Sequence, residues 1–142
     1  MLRLCNGTPG GVTTSRAGRG MLRQRLGQCA EDSALAFLEN QGLTLLARNF
    51  RCRYGEIDLV MRDRSVIVFV EVRCRTGRAL TTAAATVDTG KQRRLTRATQ
   101  FFLGAHPELG EAVLRFDIVA FDRHPKRHGP TAWLRDAFRP PP

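Results

Sequence analysis

From Gln28 to Gln41 the chain reads QCAEDSALAFLENQ, where Ala30, Ala34 and Phe37, and beside them Leu35 and Leu38, recur at spacings of three and four. That period predicts an amphipathic helix, ended by Gly42 in the position just past its C-terminus. Glu31 falls on the border of the apolar face, whereas Asp32 and Glu39 point more nearly to water. After Gly42 the pattern changes. Residues 43–51, 55–62 and 66–75 have the apolar, β-rich character of three strands, a meander with the polar turn RDRS between the last two. Residues 86–106 return to helical spacing, with Leu95, Ala98, Phe101 and Phe102 on one side. Residues 112–122 alternate through Phe116, Ile118 and Ala120 as a further strand, the fourth of the sheet, with Arg115 and Asp117 as a candidate pair at its end, and TAWLRDAF is a candidate last one. The order is α-β-β-β-α-β, without an internal repeat, which predicts an α/β fold with one domain over residues 21–138.

Two of the strands carry acids where a buried strand has none. VIVFVEV has the character of a central strand covered on both faces, and Glu71 interrupts it. Alternation puts Val66, Val68, Val70 and Val72 on one face and Ile67, Phe69, Glu71 and Arg73 on the other. On the preceding strand, Ile57, Leu59 and Met61 share one face and Glu56, Asp58 and Val60 the other. A two-residue turn at Asp63 and Arg64 sets Asp58 opposite Phe69 and Glu56 opposite Glu71. Asp58 and Glu71 are then diagonal neighbours, with Cα atoms roughly 7–8 Å apart, close enough to share a divalent ion. The alternative is a solvated edge strand whose acids pair with Arg73 and Arg75.

Charge narrows the class of partner. The chain holds 23 basic and 13 acidic residues, a net +10, which favours a polyanion, nucleic acid before an anionic membrane surface. Only Lys91 and Lys126 are lysines. In KQRRLTR, Lys91, Arg94 and Arg97 follow one side of the helix with Arg93 offset, either a phosphate-tracking stripe or a solvated face. Tyr54 is a candidate for stacking on a base or for packing. No apolar run is long enough to span a membrane, so a soluble, cytoplasmic protein is expected. Cys5, Cys29, Cys52 and Cys74 have no zinc-ligand spacing and read as scattered thiols. Residues 1–20 have no acid and no apolar period and read as a disordered basic tail, with Met21 as another candidate start; residues 139–142 form a Pro-rich end.

The segments GQCAEDSALAFLENQGL, RNFRCRYGEIDLV, VFVEVRCR, GKQRRL and RFDIVAF together resemble the PD-(D/E)XK nuclease superfamily, and within it the bacterial YraN family, which is similar to archaeal Holliday-junction resolvases. The resemblance implies a restriction-endonuclease-like fold, with a mixed central sheet flanked by helices. It implies Glu31, Asp58 and Glu71 as ligands of Mg²⁺ or Mn²⁺, and phosphodiester hydrolysis in DNA rather than RNA. Arg73 stands in the lysine position of the motif, and Ile57 where a proline often stands. A guanidinium stays protonated, so Lys91 on the following helix is a candidate substitute. The expected nucleic-acid contacts are Arg73, Arg75, Lys91, Arg93, Arg94 and Arg97. A nucleic-acid-binding protein that keeps the fold without turnover is the alternative, a protein-binding adaptor a third option. Resolvase-like members act as dimers, which makes a homodimer one option here.

Overall fold

The helix expected over 28–41 is the second half of a longer one. In the computed structural model, which describes residues 16–75, 87–122, 129–130 and 132–140, α1 runs Arg16–Asn40. Its first half has no apolar face to bury: Met21, Leu22 and Leu26 are all exposed. Its Arg, Gln, Leu and Met residues are good helix formers and carry the helix past the packed part against the cost of Gly18, Gly20 and Gly27. Residues 16–20, read above as tail, are therefore helical, and residues 1–15 lie outside the described residues. At the other end the Leu43 N–H reaches the Leu38 carbonyl and the Gly42 N–H that of Glu39. Gly42 has φ +94. This is a Schellman stop, and it buries Leu38 and Leu43 together.

Three antiparallel strands follow, β1 (Thr44–Cys52), β2 (Gly55–Asp63) and β3 (Val66–Arg75). Helix α2 (Thr89–Ala105) is capped by the Asp88 carboxylate on the Gly90 N–H. Strand β4 (Val113–Asp122) then returns parallel to β3, and β5 (Ala132–Leu134) closes the order β1-β2-β3-β4-β5. The sheet is mixed, as expected, and covered on both faces. Ala30, Ala34 and Leu38 of α1 pack on Leu59, Met61, Val68 and Val70. Leu95, Ala98 and Phe102 of α2 pack on Val60, Ile67, Phe69 and Phe116. The two faces of β3 are those its alternation predicted. No helix among the described residues is long and apolar enough to cross a membrane.

Two details of the meander differ from expectation. Asp63 pairs with Val66, so the turn is Arg64–Ser65, with Arg64 at φ +57. The chain turns one residue later than its polarity suggested. Val60 rather than Asp58 faces Phe69, but the turn still holds two residues, so the side chains from Leu59 to Val70 keep their faces. Strict alternation also fails at the start of β2, where Ile57 packs with Val60 in the α2 layer rather than with Leu59. The neighbouring strand supplies the cause. β1 has a register shift between Leu45 and Ala47, and Asn49, between the pairs Arg48↔Leu59 and Phe50↔Ile57, has φ +51. The β1–β2 ribbon bends there, opposite Asp58.

The far end of the sheet is tied by one buried carboxylate. Asp117, 1% exposed, accepts from Arg115 Nε and Nη2 at 2.8 and 2.9 Å, from Trp133 Nε1 at 3.0 Å and from the Asp136 N–H at 3.1 Å. Arg115 also reaches Asp63 at 3.0 Å. The pair expected at a strand end is thus the knot joining β2, β4 and the C-terminal segment.

Candidate metal and nucleic-acid site

The recorded β2–β3 pairing runs from Asp63↔Val66 to Leu59↔Val70. At the next step the Val72 N–H donates instead to Asp58 Oδ2, at 2.8 Å. A side-chain carboxylate thus takes a ladder hydrogen bond, and β2 bends away with β1 while β3 continues alongside β4 to Arg75. The parting of the strands leaves a cleft of about 430 Å³ lined by Glu31, Gly55, Glu56, Asp58, Glu71, Lys91, Arg94 and Leu95. Gly55 has φ +149, a backbone that side-chain-bearing residues avoid, and so starts β2 in a conformation glycine alone takes easily.

Carboxylates reach this cleft from three elements. One oxygen each from Glu31, Glu56 and Asp58 lies within 4.8 Å of the other two, a spacing that one divalent ion can span. Glu31 Oε2 is buried and accepts no hydrogen bond, with Arg48 at 3.9 Å. A buried acceptor without a donor, in an all-oxygen donor set, fits a hard cation such as Mg²⁺ or Mn²⁺. Glu71, largely buried, is held on the other side: Lys91 Nζ bonds its Oε1, and Arg73 Nε stands 3.9 Å from the same oxygen.

The electrostatics bear the mark of this crowding. Desolvation first, then the Glu71 charge, push the Asp58 carboxyl up to about 7, with Glu31 and Glu56 adding to the rise and the Val72 N–H opposing it. Burial also raises Glu31, against a hydrogen bond from Asn49 and the Arg48 charge. A raised carboxyl means that the folded state holds a proton the unfolded chain releases. The stability Asp58 contributes is therefore full below about pH 4 and is lost as pH rises through about 7. A cation at the same oxygens competes with that proton. By calorimetry, the affinity for Mg²⁺ or Mn²⁺ is expected to rise by up to about tenfold per pH unit below 7 and to flatten above it. A flat profile from acid to alkaline pH would show that no such carboxylate binds the ion.

The residues singled out in the sequence divide accordingly. Glu31, Asp58, Glu71, Lys91 and Arg94 line one cleft. Arg73 is buried beside Glu71, its side chain 9% exposed, and so sits behind the acids. Arg93 is exposed, and Arg97 lies one turn further along α2 in a separate cleft with Tyr54. The Arg75 side chain lies outside the described residues. Glu56 joins the acids as a candidate ligand that the resemblance did not supply. Its place on the same strand face as Asp58 was the signal for it.

Residues 30–121 match the model of the family described as "Uncharacterised protein family UPF0102". A UPF0102 protein of Pseudomonas entomophila is 47% identical over 112 residues, covering 79% of this chain and 91% of its own. One of Halorhodospira halophila is 54% identical over 117 residues, covering 82% and 88%, and one of Alkalilimnicola ehrlichii 50% over 115, covering 81% and 87%. The matched span holds Glu31, Glu56, Asp58, Glu71 and Lys91, so the whole carboxylate cleft falls inside it, and the chain belongs to the UPF0102 family.

Proposed function

We propose that the chain is a divalent-cation-dependent nuclease that hydrolyses phosphodiester bonds in DNA, branched DNA included. The observation that carries this reading is the meeting of Glu31, Glu56 and Asp58 oxygens within 4.8 Å where β2 parts from β3. Those three carboxylates would hold Mg²⁺ or Mn²⁺, with Glu71 at the border of the set. When bound, such an ion polarises the phosphate and lowers the pKa of water. Asp58 is kept in place by the Val72 N–H, and Glu31 by the helix whose Ala34 and Leu38 are buried against the sheet. Arg94, on the cleft wall, supplies positive charge for a phosphate oxygen.

Lys91 supplies what Arg73 cannot. An ammonium can give up a proton or hydrogen-bond a water, whereas the guanidinium of Arg73 remains charged and lies mostly buried. Lys91→Ala is expected to slow cleavage by about a hundredfold while leaving cation affinity measured by calorimetry within a few-fold of the parent's. Cleavage at the parent rate in this variant would remove Lys91 from the chemistry.

Arg73 also favours a second reading, a nucleic-acid-binding protein without turnover. A labelled panel of duplex, flap, four-way junction and single-stranded DNA and RNA, with Mg²⁺ or Mn²⁺, separates the two. Metal-dependent cutting that is lost in Asp58→Asn supports the nuclease. Tight binding with no cutting on any member of the panel supports the second reading.

A further inference from the structure

A second cleft opens beside the carboxylates. It has a volume of about 580 Å³ and is lined by Tyr54, Arg97, Gln100 and Phe101, with no acid among them. Tyr54 sits in the two-residue turn between Cys52 and its partner Gly55, and Gly55 lines the carboxylate cleft. Arg94 lines the carboxylate cleft and Arg97 this one, one helical turn and about 5 Å apart along α2. The two clefts are adjacent along both of the elements that build them.

The second cleft is floored by flat groups. The Tyr54 and Phe101 rings stand 6.2 Å apart, Arg53 lies over the Tyr54 ring at 4.8 Å, and Arg97 lies 6.0 Å from its centre. Arg53 also bonds the Tyr54 hydroxyl at 2.7 Å. Core packing accounts for Phe102, 1% exposed, but leaves its neighbour Phe101 48% exposed. An exposed phenyl beside a tyrosine, with arginines close by, presents to solvent the combination that takes a nucleobase: a flat apolar face, and cations for the phosphate on either side of it.

We propose that this surface stacks an unpaired nucleobase of the DNA strand whose phosphate enters the carboxylate cleft. The proposal rests on the nuclease reading for that phosphate and adds the substrate class. A base inside a duplex has both faces covered by its neighbours and is not free to stack on Tyr54 or Phe101. A single strand, a flap or a frayed end has such a base. Substrates with an unpaired segment are therefore bound in preference to blunt, fully paired DNA.

The test is a binding titration without divalent cation, using oligonucleotides that carry one 2-aminopurine, a base whose fluorescence falls when it stacks. The single strand is expected to bind with quenched fluorescence and at least tenfold more tightly than the blunt duplex of the same sequence. Tyr54→Ala and Phe101→Ala should each lose about tenfold or more in affinity for the single strand and lose the quenching, and Tyr54→Phe should restore both. The thermal midpoint of each variant shows that it is folded, and two independent ring deletions keep the test open if one fails to fold. Equal affinity for single strand and duplex, or quenching that survives both ring deletions, overturns the proposal. Because no cation is present, the outcome does not depend on turnover. Stacking without cleavage in the panel retires the nuclease reading and keeps the stacking surface, no longer tied to a phosphate in the carboxylate cleft, and cleavage of duplex with no quenching keeps the nuclease reading and overturns the proposal.

Discussion

Asp58→Asn is expected to abolish metal-dependent cleavage and, in the metal-free protein above pH 7, to make the fold more stable. The amide keeps an oxygen for the Val72 N–H, so the bend in β2 retains its hydrogen bond. What disappears is a charge that burial, Glu71, Glu31 and Glu56 all disfavour. The folded carboxyl is raised from 3.8 to about 7, so the parent loses stability between those values as the pH rises. A neutral amide loses none. Urea unfolding without metal should show a gain of about 1–3 kcal/mol at pH 8 and little difference near pH 4. The stabilisation by Mg²⁺, about 2.7 kcal/mol for the parent at a hundred times its dissociation constant, should shrink to a small fraction of that. Cleavage should fall on the order of a thousandfold, the several kcal/mol that a misheld ion costs a transition state. A variant less stable than the parent at pH 8, or one that still cuts, would contradict the assignment of Asp58 as a crowded metal ligand.

Asp117→Ala has the largest expected effect on stability. The substitution removes the acceptor of four hydrogen bonds at one stroke, two of them from Arg115. The Arg115 side chain is only 17% exposed, and its remaining partner in this group is Asp63. Stripping a mostly buried cation of its main counter-charge, together with the lost donors' partners, costs about 3–5 kcal/mol. In the parent the hydrogen bond to Asp117 raises Arg115 above its ordinary pKa; without Asp117 a guanidinium still keeps its proton, so Arg115 cannot relieve the cost by becoming neutral. Equilibrium unfolding in urea measures the loss, and tryptophan fluorescence should report a freed Trp133. A loss below about 1 kcal/mol would mean that the C-terminal segment is held by its apolar contacts alone. Asp117 pairs with Val70, one position from Glu71, but Val70 faces the α1 layer and Glu71 the cleft beside α2, so folded protein should bind cation nearly as the parent does.

How much of this was legible in the chain depends on which residues carried a local signal. The meander, the faces of β3, the stop at Gly42 and the α2 packing positions Leu95, Ala98 and Phe102 follow from apolar spacing and one glycine; Phe101, expected on the same side, is 48% exposed instead. Glu71 announced itself by interrupting a buried run, and Glu31 by standing at the border of an apolar helix face. The bend at Asp58 had no such signal. It depends on a register shift in β1 and on Asn49 in the left-handed region, both consequences of how neighbouring strands fit together. Glu56 was visible as an acid on the right face, but its approach to Glu31 arises from that bend. The turn at Arg64–Ser65 was misplaced by one residue because Asp63 is as apt for a turn as the two residues that form it. The first half of α1 was missed because helix propensity leaves no periodic trace when no face is buried. Spacing on one strand shows Asp117 only its partner Arg115, because Trp133 and Asp136, its other partners, come from the last short segment of the chain.

The parallel pairing of β3 with β4 also has a consequence in time. Residues paired across the β2–β3 hairpin are brought together by a two-residue turn, whereas Val70 and Asp117, paired in parallel, stand 47 positions apart. Closing the longer loop costs more chain entropy, and contacts of that separation form slowly. The hairpin therefore sets Asp58 beside Glu71 early, before α2 is packed and Lys91 can reach the acids. For that interval Glu71 has Arg73 beside it on β3 but not yet Lys91, so the chain meets the repulsion among its acids before the charge that offsets it is complete.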